Sequence, residues 1–558
     1  MWNGGICCAR PSGPRIGQPS KPASRMTNFA LSALDLAIIG ASIVFSVTVG
    51  FWASRRVEKT ARGFFLASGK MPWWLIGAAF VSTSVSSEQI VGTVGAAYKH
   101  GMGIANWEWW CLPTYMLVMI FFIPLYLKNR VTTVPELLTR RFGPACGNIY
   151  SYVMLFAYVF LFLTPALYGG SVTFSRLMGW PPSAVLAGIA ILVGSYTILG
   201  GLSSVMWTDA LQCVMLVLGG VALFFVALGH IPGGWPAMVQ AAPERFHLYH
   251  SPGDAEAPFL GLITATFGVF LFYQSTNQVM IQRVLAARST WDGMMGIVFA
   301  GFINLLRPLV TCLLGLIVYH WIEKMGKAPS LLPDKQDLVF PFALEAFAPS
   351  GLRGIILAGF VAAVMSSSSA LANAVGTIFS LDVYRPLFRP QAQDRQLILA
   401  GRIASGVALA LACLAAPLVA RVGIFKYFQT GVTYMATPFV SVILLGILWK
   451  RTNCAGALAG LLGGLAIQIG LAVALWAMDI QLNWLYVGSL AQVLTMALIV
   501  AVTLRTAPAP ARNWEPFLWR PAVLAQYDEG RKRPWYQHVK VWFGVYAVIW
   551  VFLYWRFW

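Results

Sequence analysis

The chain has 558 residues, of which 58% are hydrophobic and only 11% charged, and its mean hydropathy is +0.69. A soluble globular protein carries about a quarter charged residues, so a water-soluble domain is excluded for want of surface ions. The net charge of +19 would suit a nucleic-acid partner, but its placement along the chain argues for membrane topology instead.

Residues 1–33 begin as a polar, Gly/Pro-rich stretch without the apolar centre of a secretory signal, and read as a disordered tail in which Met26 could open a shorter chain. Fourteen stretches then approach or exceed the roughly 20 residues a helix needs to cross about 30 Å of hydrocarbon. They fall near 34–54, 73–95, 105–127, 148–174, 182–200, 208–230, 258–281, 293–321, 353–381, 399–420, 426–449, 454–477, 483–504 and 540–557. Their apolar runs are continuous, which favours helices over the alternating strands of a barrel. The fold class expected is therefore an all-α polytopic membrane protein with the lipid bilayer as partner and no nucleic acid. Basic residues collect in the odd-numbered links: Arg55, Arg56, Lys59 and Arg62, then Lys128, Arg130, Arg140 and Arg141, then Arg531, Lys532 and Arg533. The positive-inside rule places those links in the cytoplasm of a plasma-membrane protein, with both termini outside. The eight cysteines form no CxxC or Cys/His cluster, so neither a metal site nor a disulfide framework is expected.

Three polar breaks interrupt the apolar pattern, and polar groups inside a span usually face a cavity or a partner. The first is Ser82-Thr83-Ser84-Val85-Ser86-Ser87-Glu88-Gln89 in the second span, with Gly92 and Gly95 beyond it. Such a segment fits a helix that unwinds around a ligand, or a seam of small packing residues. The second is Ala362-Ala363-Val364-Met365-Ser366-Ser367-Ser368-Ser369-Ala370 in the ninth span. There Ala363, Ser366 and Ser367 share one helix face, giving a neutral, oxygen-only corner suited to a small monovalent cation; zinc would want Cys or His, and calcium several carboxylates. A packing stripe with hydroxyls bonded back along the helix is the competing reading. The third is Tyr273-Gln274-Ser275-Thr276-Asn277-Gln278, late in the seventh span. Alone it could be a helix end; paired with the first it points to an inverted-repeat transporter with a midplane site.

Several motifs carry a resemblance. They are Phe65-Leu66-Ala67-Ser68-Gly69-Lys70-Met71-Pro72-Trp73-Trp74; Ser87-Glu88-Gln89; Thr133-Val134-Pro135-Glu136-Leu137-Leu138 with Arg141-Phe142-Gly143; Gly200-Gly201-Leu202-Ser203-Ser204-Val205-Met206-Trp207-Thr208-Asp209; Asn277-Gln278 with Gln282-Arg283-Val284-Leu285-Ala286-Ala287; and the serine cluster running to Thr377-Ile378-Phe379-Ser380-Leu381-Asp382-Val383-Tyr384. In this order they resemble the sodium:solute symporter family, and most closely its sodium/glucose and galactose branch. The resemblance implies a LeuT-like fold of two inverted five-helix repeats, 73–230 and 258–449. Around them stand an extra first helix (34–54), two further helices (454–504), a basic cytoplasmic link (505–539) and a last helix (540–558). It also implies a coupling sodium on the backbone of Ser82, Val85 and Ala363 and the hydroxyls of Ser366 and Ser367. A second sodium would use Asp209 with Ser366 and Ser369, but Ala370 replaces a hydroxyl there. Gln89, Glu108 and Gln429 match sugar-contacting positions, with Glu88 beside them, and Tyr273 matches an inner gate. Phe270 and Asn304 depart from the branch, the latter replacing a lysine.

Three roles stay open for Arg307, three residues on from Asn304: partner to Glu108, contact for an anionic substrate, or a side chain snorkelling to an interface. The function expected is sodium-coupled symport of a small polar organic solute, sugar-like by preference, by alternating access and with no organic cofactor. A carboxylate, sugar acid, amino acid or vitamin is the alternative substrate. ATP drive has no GxxxxGK[ST] motif to support it. An enzyme is not expected, because the six histidines lie in links or at span ends without a third ligand beside His247 and His250. A sensor or channel on the same scaffold would bind solute without turnover; the 505–540 link is too short for a signalling domain.

Overall fold

The computed structural model describes residues 31–558 apart from 56–57, 59, 255–256, 329–332, 420–423, 526 and 528–530. The expected N-terminal tail thus falls almost wholly outside the described residues. Among the described residues, twelve helices are long and apolar enough to cross a membrane: Ala33–Arg55, Met102–Lys128, Pro144–Met178, Gly200–Gly229, Phe259–Thr276, Thr290–Lys324, Leu352–Leu387, Asp394–Val419, Tyr427–Leu448, Cys454–Ala477, Trp484–Arg505 and Val539–Phe557. Two shorter apolar helices, Trp73–Ser84 and Pro182–Ile198, stand at the expected second and fifth spans. The expected count of fourteen is reached only if these shorter pieces are included. Helix satisfies each backbone group within its own segment, which hydrocarbon demands.

Burial orders the helices from centre to rim. In Leu352–Leu387, 94% of the most apolar stretch is buried inside the protein, against 22% for Ala33–Arg55 and Cys454–Ala477 and 17% for Val539–Phe557. The central helix can be so enclosed because small residues let backbones approach. It packs on Pro182–Gly229, on Trp73–Ser84 and on Asp394–Val419. The same principle joins Trp73–Ser84 to Thr290–Val310, where a Cβ on Gly77 would lie 2.5 Å from the Gly296 carbonyl oxygen.

One expected link is absent. The stretch 201–207 was expected to separate two spans, but helix runs from Pro182 to Gly229 with a single non-helical residue, Gly201 (φ 60°, ψ −163°). That left-handed backbone favours glycine, and a Cβ there would meet the Phe64 carbonyl oxygen at 2.5 Å. The two expected spans are therefore joined by a kink at one residue instead of a loop, and Asp209 lies inside a helix with no exposed surface.

Candidate solute and sodium site

Two helices break where the polar patches lie. Trp73–Ser84 stops at Val85 (φ −102°, ψ 94°) and Ser86 (φ −106°, ψ 176°), both extended, and helix resumes at Ser87–His100. Val81 still accepts from Val85 N at 3.0 Å, and the carbonyls after it are those that a helix end leaves without intrahelical donors. The other break is Asn277 (φ −81°, ψ 117°), between Phe272–Thr276 and Gln278–Leu285. It is held open by side chains: the Tyr158 hydroxyl donates to Asn277 Oδ1 at 2.6 Å and the Tyr150 hydroxyl to the Thr276 carbonyl at 2.6 Å.

The central helix packs on Trp73–Ser84, a bond between Ser82 and Ser366 joins the two, and all five sodium candidates are buried. Ser82, Val85, Ala363, Ser366 and Ser367 are each exposed by 2% or less. Ser82 Oγ donates to Ser366 Oγ at 3.0 Å, and Ser367 Oγ donates to the Ala363 carbonyl at 2.9 Å. Ser366 Oγ in turn donates to Asp209 Oδ1 at 2.6 Å. The other oxygen of Asp209 accepts from Thr83 Oγ1 and from Arg283 Nη2, both at 3.2 Å. Arg283 and Asp209 form an ion pair with no exposed side-chain surface on either partner. Ser369, the other candidate for a second ion, donates to the Ser366 carbonyl at 2.9 Å.

A cavity beside the first break is lined by Ser84, Gln89, Tyr273, Gln274, Arg307 and Gln429, with aromatic walls from Phe80, Trp107, Phe270 and Phe428. Four of the expected solute and gate residues, Gln89, Gln429, Arg307 and Tyr273, thus line one cavity. Glu108 and Asn304 stand a layer behind, holding Arg307. Arg307 Nη2 lies 3.5 Å from Glu108 Oε1, and its Nη1 donates to Asn304 Oδ1 at 3.0 Å and to Ser84 Oγ at 3.3 Å. Arg307 is 6% exposed, which is not the position of a side chain reaching an interface. Glu108 also accepts from Thr311 Oγ1 at 2.8 and 2.9 Å. Phe270 stacks on Trp107 at 5.2 Å, and Trp107 on Trp484 at 5.1 Å. Tyr273 stacks on Phe162 at 6.4 Å. The side chain of Glu88 lies outside the described residues, though its backbone is helical.

Arg283, Thr311, Trp107 and Gln274 were not among the expected site residues. Thr311 carried a usable signal, since it sits four residues after Arg307 on the same helix face. Arg283 carried only half of one: its motif stood out, but nothing local named Asp209 as its partner.

Paired helix breaks around a cavity with a few polar groups on aromatic walls, inside a bundle of membrane-spanning helices, define a membrane carrier for a small solute. The family model described as "Sodium:solute symporter family" matches residues 64–464. A sodium/glucose cotransporter of Vibrio parahaemolyticus is 32% identical over 500 residues, covering 86% of this chain and 91% of that protein. A sodium/myo-inositol cotransporter 2 of Sus scrofa is 29% identical, covering 82% and 72%. Among solved structures, a substrate-bound, outward-open Na+-coupled sialic acid symporter superposes with a TM-score of 0.76 at 22% identity, covering 86% of this chain and 99% of that one. The chain belongs to the sodium:solute symporter family. It is a multi-pass membrane protein of LeuT-like fold and a symporter coupled to sodium, not an enzyme.

Proposed function

We propose that the protein carries an uncharged polyhydroxy solute, a sugar or cyclitol, together with sodium by alternating access. The observation that carries this reading is the Arg307–Glu108 pair: Arg307, already balanced by the carboxylate behind it, lines the cavity together with the amide side chains of Gln89 and Gln429. Amides offer both donors and acceptors, as hydroxyl groups require, and a cation already balanced by a carboxylate gains little from an anionic ligand. The names of the sodium/glucose and sodium/myo-inositol relatives point the same way. One feature favours a second reading, a carboxylate solute: Arg307 Nε is buried without a hydrogen-bond partner among the described residues.

The sodium sits, in this reading, between the carbonyls of Ser82, Val85 and Ala363 and the hydroxyls of Ser366 and Ser367. It bridges the broken helix to the central helix and so organises the cavity. A single ion per cycle is favoured, because Arg283 already supplies positive charge to Asp209; a second ion at Asp209 and Ser369 would compete with that guanidinium. Both termini lie outside the cytoplasm of a plasma-membrane protein, by the basic odd-numbered links. A thermal-shift screen of hexoses, cyclitols, sugar acids and amino acids, with and without sodium, tests the substrate class. Stabilisation by a neutral polyol that depends on sodium is expected; stabilisation by carboxylates alone would replace this substrate class with the second reading.

A further inference from the structure

The span Phe259–Thr276 has a break of its own, in an apolar stretch well before Asn277. Its backbone leaves helical geometry at Gly268 (φ −101°, ψ −111°). Leu271 N, which a regular helix would give to the Phe267 carbonyl, bonds instead to the Gly268 carbonyl. The Phe267 carbonyl is taken by a side chain from far along the chain: Gln492 Nε2 donates to it at 2.6 Å. Gln492 is 5% exposed, and a Cβ on Gly268 would lie 2.8 Å from its Oε1. An unmatched carbonyl is costly at membrane depth, so the amide and the break depend on each other.

Gln492 belongs to Trp484–Arg505, a helix outside both repeats and beyond the residues 64–464 that the family model matches. The same helix holds its neighbour at two more places. Ser489 Oγ donates to Thr264 Oγ1 at 2.9 Å. At its start Trp484 stacks on Trp107 with the ring planes 13° apart, and Trp107 in turn stacks on Phe270 at 27°. Trp107 and Phe270 line the solute cavity. Phe270 follows Gly268 by two residues, so the direction the chain takes at the break sets where its ring meets Trp107. Cys111, also in the cavity lining, lies one turn beyond Trp107, on the way to Lys128 and its basic link. The aromatic stack therefore stands between Cys111 and the membrane face opposite the basic links.

We propose that Trp484–Arg505 braces this aromatic wall, with Gln492 and Trp484 as positioning residues that keep Phe270 and Trp107 closed against entry from that face. The inference rests on the cavity being the solute's path, and its test needs neither solute nor sodium, so it does not fall with the substrate class. The measurement is the rate at which a membrane-impermeant methanethiosulfonate modifies Cys111, read by peptide mass spectrometry on the full chain in intact cells and in inverted vesicles. Gln492→Met keeps the length and removes the donor. It should speed modification about five-fold from the face opposite the basic links, as for the loss of one hydrogen bond, and leave the other face unchanged. Trp484→Ala should do the same, and Trp484→Phe should stay near the parent rate. Leu494→Ala, at an exposed position of the same helix, should change nothing. Cys146, Cys213 and Cys312 are buried and do not line the cavity, so their modification in the same sample reports loosening of the whole fold. An unchanged rate at Cys111 in Gln492→Met or Trp484→Ala overturns the proposal. So does a rise from the basic face, or one shared by those three cysteines.

Discussion

Arg307→Met tests the wall of the solute cavity most sharply. The pair it breaks is 3.5 Å apart, with side chains 7% and 1% exposed. At that distance, and with an effective dielectric constant near 20, the attraction is about 5 kcal/mol. Removing one partner of a buried pair typically costs about 3–5 kcal/mol, because the other charge is stranded. Glu108 would keep only the Thr311 hydroxyl of its observed donors. Arg307→Met should therefore lower the thermal midpoint of the purified protein markedly. Combining it with Glu108→Gln should recover much of the loss, since the double variant buries no charge at this place. The double variant should still transport a neutral solute, with a raised KM, and should lose any carboxylate solute. A single variant as stable as the parent would refute the reasoning, as would a double variant whose loss is the sum of the singles to within about 0.5 kcal/mol.

Ser366→Ala removes one proposed sodium ligand and a 2.6 Å donor to Asp209; the sodium concentration for half-maximal uptake should rise about ten-fold, as for the loss of roughly 1.4 kcal/mol. An unchanged requirement would remove Ser366 from the site. Arg283→Gln strands Asp209 with no exposed surface, so the yield of folded protein should collapse, and adding Asp209→Asn should restore it; equal yields for the two variants would deny the pair its structural role. Reversal-potential measurements in proteoliposomes should give one positive charge per neutral solute, each worth about 2.3 kcal/mol per 100 mV. Two charges per solute would reinstate a second ion beside Asp209.

What the sequence disclosed follows from what a bilayer makes conspicuous. A lipid-facing helix has no use for Ser82 to Gln89, so the first break was visible as a polar interruption, and the structure places it at Val85 and Ser86. Asn277 was visible in the same way. Gly201 was not, because a kink confined to one residue leaves the flanking apolar pattern intact, and a loop was expected where helix continues on either side of it. The Arg283–Asp209 pair was hidden for another reason. Its members are 74 positions apart and neither motif names the other as its partner; only packing brings them to 3.2 Å. Three roles were open for Arg307 on sequence alone, and the position of Glu108 and Asn304 around it removes the interfacial one. The ring stack through Trp484 joins a helix outside the expected repeats to the cavity wall, a long-range contact no local motif announces.

The central claim is that solute movement is driven by sodium through this site. The direct measurement is uptake of a labelled hexose or cyclitol into proteoliposomes holding the purified chain, with external sodium present or replaced by choline. Accumulation above equilibrium in sodium, and its loss in choline, is the expected result; uptake that proceeds unchanged in choline would contradict it.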